Sequence, residues 1–241
     1  MRRKPLILAL LVVVVLVGVV SLALAALVWH EPAFYRRGNI SAGHERHVWS
    51  RQFETEMSHL FSAIQQDDSS WDASFTADQI NSYLLQGFVT SGLDDKILPD
   101  TMTAPRVAIE EDRFRLGFRY GHGRWITIIT VDLRLWVAQG EINTVGLELL
   151  GLHAGAVPVS AQSLLERISD AIERINDNDK KFKVDVSWYR HEGHPVALLR
   201  FNADQPRTTV HLQDVELKAG RLVLQGRCAS PGTTAANHAS E

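Results

Sequence analysis

The stretch FRLGFRYGHGRWITIITVDLRLWV, residues 114–137, decides the fold. Phe114, Leu116, Phe118 and Tyr120 alternate with Arg115, Gly117 and Arg119, and a period of two is that of a strand with one buried face. Gly121-His122-Gly123 supplies a turn. The longer run beyond it puts Ile129, Val131, Leu133, Leu135 and Val137 on one face and Thr130, Asp132, Arg134 and Trp136 on the other. Gly140-Glu141 turns the chain again, and Val145, Leu147 and Leu149 continue the same inward alternation. Residues 105–153 therefore read as an antiparallel meander.

Downstream, Pro158 and Ser160 introduce an amphipathic helix predicted over residues 161–176. Leu164, Leu165, Ile168, Ala171, Ile172 and Ile175 form its apolar stripe. Strands resume at residues 182–188, 196–201, 210–217 and 222–224, and residues 227–241 form a small, polar tail predicted to be disordered. Upstream, Phe75-Thr76-Ala77-Asp78-Gln79-Ile80 is a complete helix start. Thr76 caps, Gln79 closes a capping box, and Phe75 staples onto Ile80. That helix is predicted to end near Gln86, with Gly87 as a left-handed terminator and residues 88–99 as a loop, either a buried connector or a cavity lip. An earlier helix, residues 44–66, carries Trp49, Phe53, Met57, Leu60, Phe61 and Ile64 at three- and four-residue steps, and residues 67–72 break it.

Residues 6–28 hold no charge and follow Arg2, Arg3 and Lys4. As a helix this run measures roughly 34 Å, against a hydrocarbon core of about 30 Å. It is longer than the h-region of a cleavable signal peptide, despite the small residues at Ala23-Leu24-Ala25. The expectation is an uncleaved signal-anchor in the inner membrane, with residues 1–5 cytoplasmic, residues 29–43 a stalk, and a single extracytoplasmic domain over residues 44–226. Trp29, Phe34 and Tyr35 would sit at the interface. The expected fold class is α+β: an N-terminal transmembrane helix, then a curved, largely antiparallel sheet packed on amphipathic helices.

Charge and chemistry exclude several classes. The chain has 25 basic and 28 acidic residues; without Arg2, Arg3 and Lys4 the balance is 22 to 28. A net acidic domain argues against a nucleic-acid partner. Cys228 is the only cysteine, so the fold rests on its core. His44 with His47, and His191 with His194, each supply two metal ligands where zinc needs three or four. No Gly-x-Ser-x-Gly elbow is present, and Gly121-His122-Gly123 lacks the third glycine of a dinucleotide site. The reading is non-catalytic, with no metal and no cofactor.

The capped segment of residues 75–84, together with Gly146-Leu147-Glu148-Leu149 leading to Gly155-Ala156-Val157-Pro158-Val159-Ser160, resembles the membrane-anchored bacterial YpmS-type family. The order of elements is more loosely similar to the tubular lipid-binding (TULIP-like) families. The resemblance covers residues 75–224 and implies a lipid-interacting protein; it brings no catalytic residue with it. The expected lining of an apolar ligand cavity is Val131, Leu133, Leu135, Val145, Leu147 and Leu149 on the sheet, with Leu165, Ile168 and Ile172 on the facing helix. A second reading stands beside it: a filled core in a structural or adaptor protein of the envelope that binds a partner protein.

Overall fold

The computed structural model describes residues 3–65, 70–123, 125–141, 143–160, 183–202 and 209–229. Three helices lead the chain: α1 (Arg3–Val28), α2 (Ala33–Arg37) and α3 (His44–Gln65). Strand β1 (Trp71–Thr76) runs directly into α4 (Ala77–Leu85), and the short helices α5 (Gly87–Thr90) and α6 (Leu93–Ile97) follow. The meander is β2 (Met102–Ile109), β3 (Phe114–His122), β4 (Trp125–Val137) and β5 (Thr144–Ala154), closed by the two-residue β6 (Val157–Pro158). Two hairpins complete the described chain: β7 (Lys183–His191) with β8 (His194–Asn202), and β9 (Thr209–Lys218) with β10 (Arg221–Ala229).

The architecture is α+β with antiparallel pairing throughout, but it has two sheets where one was expected. Strands β2-β3-β4-β5-β8-β7 form the larger, with β6 on β5; β1-β10-β9 form the smaller. The second sheet exists because residues 71–76, the first two of which read as part of a helix break, are a strand. Trp71, Ala73 and Phe75 point into the core, and β10 pairs with β1 from Trp71↔Gly226 to Thr76↔Arg221. Helix α3 covers this sheet through Leu60, Phe53, Met57 and Ile64. Cys228, placed by sequence at the margin of the tail, is part of β10 and packs on the same cluster.

The capping box forms as read. The Gln79 N–H donates to Thr76 Oγ1 at 3.2 Å and the Thr76 N–H to Gln79 Oε1 at 2.8 Å. Phe75 is buried, with Ile80 packed on its cluster. Gly87 is not the left-handed terminator expected; it opens α5. A Cβ there would lie 2.6 Å from Glu54 Oε1 and 2.7 Å from the Tyr83 ring, so its role is close approach. Residues 88–99 contain two short helices in place of a loop. Phe88 turns inward, while Val89 and Ile97 face solvent.

The N-terminal reading requires correction. Among the described residues no helix is long and apolar enough to cross a membrane. The transmembrane, signal-anchor and inner-membrane expectations are set aside together. The end of α1 is joined to the larger sheet: the Ala156 N–H donates to the Leu27 carbonyl at 2.8 Å, and Thr127 Oγ1 donates to that of Val28. These are carbonyls a helix end leaves without internal partners. Gly155, at φ +60°, makes the approach possible, because a Cβ would sit 2.4 Å or less from both oxygens. Trp29 packs on Trp125 with ring centroids 5.7 Å apart.

Residues 29–43 are not a stalk either. Helix α2 lies on the meander and inserts Phe34 and a fully buried Tyr35 beside Ile128. Tyr35 Oη donates to the Ala104 carbonyl at 2.7 Å. Gly117 on β3 leaves room for α2, since a Cβ there would come within 2.8 Å of the Tyr35 ring. Buried Arg106 fastens the helix: Nη1 donates to the Tyr35 carbonyl at 2.9 Å, Nη2 to Asn39 Oδ1 at 3.0 Å, and the guanidinium lies 4.3 Å from the Tyr35 ring centre. Two aromatics assigned by sequence to an interface are core residues.

Candidate functional site

The larger sheet has two faces of opposite chemistry. Register sets the first: Leu116 lies opposite Val131, Phe114 opposite Leu133, and Phe118 opposite Ile129. Val131 meets Leu152, Leu133 meets Leu149, Leu135 meets Leu147, and Val137 meets Val145. The same face continues through Leu199 and Ala197 on β8 to Val186 and Trp188 on β7. A bulge between Asp132 and Leu133 sets two β5 residues, Leu149 and Gly151, opposite them with Leu150 left over, so the alternation survives on both sides of it.

Six sheet residues named from sequence thus share this face. Val131, Val145 and Leu149 are buried, whereas Leu133, Leu135 and Leu147 are only partly so. The three helical positions of that reading, Leu165, Ile168 and Ile172, lie outside the described residues. Sequence analysis missed the lateral extent of the face, whose β7 and β8 parts show as alternation at Val186-Trp188 and Ala197-Leu199.

The opposite face is ionic. Arg115 Nε donates to Asp132 Oδ1 at 2.7 Å, and its Nη1 lies 3.2 Å from Glu110. Glu148, 2% exposed, is held by Arg134 Nη1 at 2.9 Å on one oxygen and by His194 Nδ1 at 2.9 Å on the other. Both partners are about half exposed, so a guanidinium and an imidazole together cap a carboxylate that water scarcely reaches. His194, read from sequence as a surface turn residue, is one of those caps.

On this side α2, the start of α4, β2 and the start of β3 line an open cleft of about 320 Å³. Phe34, Arg37, Asp78, Asn81, Glu110 and Arg115 contribute to its wall. Charges of both signs make it a poor receptacle for an acyl chain, since each would lose hydration without a partner in the ligand. No family model, curated protein or solved structure matches the chain.

Proposed function

We propose that this protein binds a long apolar ligand, a lipid acyl chain or its chemical equivalent, on the aliphatic face of the larger sheet. The observation that carries the reading is the incomplete burial of Leu133, Leu135 and Leu147 at the centre of an apolar surface five strands wide. A filled core covers its leucines evenly; here Val131, Val145 and Leu149 are buried while Leu133, directly opposite Leu149, and the Leu135/Leu147 pair beside it are left partly exposed.

The energetics suit such a ligand. Moving an acyl chain into water costs about 0.8 kcal/mol per CH₂, so a sixteen-carbon chain requires replacement contacts worth on the order of 12 kcal/mol. Aliphatic rows from β3, β4, β5 and β8 lying side by side supply a surface of that kind. With no polar group at the centre of these rows, where Leu133, Leu135, Leu147 and Leu149 meet, selectivity would follow length and shape.

The test is titration of the full chain with a polyene fatty acid whose fluorescence rises in apolar surroundings. Saturable uptake is expected, weakened at least tenfold by Leu135→Asp, which places a carboxylate in the middle of the face. A folded protein with no saturable signal would return the chain to the filled-core, partner-binding reading.

A further inference from the structure

Sheet edges expose unpaired N–H and C=O groups, and three of the four edges described here are blocked by side chains. On β2, Asn81 takes both the N–H and the C=O of Val107. On β9, Asn143 takes the Val210 carbonyl and the Leu212 N–H. On β1, Glu56 accepts from the Ser74 N–H and Gln79 from the Thr76 N–H. The fourth edge is β7, which ends the larger sheet and, among the described residues, has no strand on its outer side.

The hairpin fixes which groups point away from β8. His191 pairs with His194 across Glu192 and Gly193, whose φ values of +51° and +88° make a type I′ turn. Residues closing such a loop exchange both hydrogen bonds, so Tyr189, Ser187 and Asp185, in phase with His191, address β8. Val184, Val186, Trp188 and Arg190 therefore turn their backbone groups outward.

We infer that a second copy of this chain pairs with β7 through its own β7, antiparallel and about a two-fold axis, with Trp188 opposite Trp188. The axis stands perpendicular to the sheet, so each residue opposes itself or one an even number of positions away. Centring on Trp188 joins two aromatics and sets Asp185 opposite His191, with no like charges facing. Centring on Ser187 or on Val186 makes neither match. Trp188 is 38% exposed and belongs to the aliphatic face, so this pairing also runs the two aliphatic faces into one. The pairing does not depend on ligand binding.

Cross-linking of the full chain tests it. In a Cys228→Ser background, Trp188→Cys places two thiols on strands whose directly opposed Cα atoms lie about 5.5 Å apart, within disulfide reach. A reducible dimer is expected under mild oxidation, and none from Val186→Cys, whose opposite neighbour is Arg190. Val186→Pro removes one outward N–H and no bond to β8, and is expected to convert the otherwise natural chain to a slower-sedimenting species. Folding of each variant is verified by circular dichroism. Folded protein that cross-links at neither position, or equally at both, or that keeps its sedimentation after Val186→Pro, overturns the proposal. In the first case the edge is left to a foreign strand.

Discussion

Asn81 grips Val107 by both ends of its amide: Nδ2 donates to the Val107 carbonyl at 2.9 Å and Oδ1 accepts from the Val107 N–H at 2.8 Å. All four groups are buried, and the geometry copies a neighbouring strand at the edge of β2. One side chain thereby docks α4 on the meander and closes a sheet edge.

Replacing Asn81 with Leu leaves both backbone groups of Val107 buried without partners. Each such group costs about 1–3 kcal/mol, so a loss of about 2–6 kcal/mol is expected. Urea unfolding reads it as a lower midpoint at unchanged slope. Asn81→Asp keeps the acceptor and is expected to fall between. An unchanged midpoint for the leucine variant would show that the clamp adds nothing.

Glu148 and its two side-chain partners make an asymmetric prediction. Removing Glu148 as Glu148→Ala frees Arg134 and His194, both near solvent, and the loss should stay near 1 kcal/mol. The double variant Arg134→Ala with His194→Ala strands a buried carboxylate, for which about 3–5 kcal/mol is expected. Equal losses would mean that water reaches Glu148 more freely than its 2% exposure indicates.

Burial raises the Tyr35 phenol above its ordinary value of 10.0, while the neighbouring Arg106 and Arg119 charges pull it back only in part. Between the unfolded and folded values the native state holds the extra proton. The stabilisation is complete below pH 10.0 and is lost as pH rises through the folded value. Burial lowers the Arg106 guanidinium below its ordinary value, so its own titration adds an opposite slope. Thermal midpoints should fall from about pH 10 upward, and Tyr35→Phe should flatten that limb while costing about 1 kcal/mol for the bond to Ala104. A limb as steep in the phenylalanine variant would assign it to other groups.

Local signals in the sequence carried far and global ones did not. Thr76 and Gln79 announced α4 because a capping box is written in four residues, and the alternation of residues 114–137 announced β3 and β4 because a strand face repeats every second position. Strand β1 was hidden, since Trp71 and Asp72 follow a charged break and its partner β10 lies some 150 residues away. Tyr35 read as an interface aromatic because nothing local reveals that Arg106, Gly117 and Ala104 converge on it. The same distance conceals Asn143, whose amide reaches Val210 and Leu212 to tie the two sheets together. That Val131, Leu133, Leu135, Val145, Leu147 and Leu149 share one sheet face was legible from alternation alone, but their unequal burial depends on what lies over the face.

Native mass spectrometry of the full chain, purified without denaturation, tests the apolar-ligand reading most directly. We expect a mass increment from a bound lipid at near one per chain, lost in Leu133→Trp, where the indole fills the space an acyl chain would occupy while the fold persists. A folded natural chain that flies at its bare mass, and takes up no fatty acid added in excess, would contradict the account.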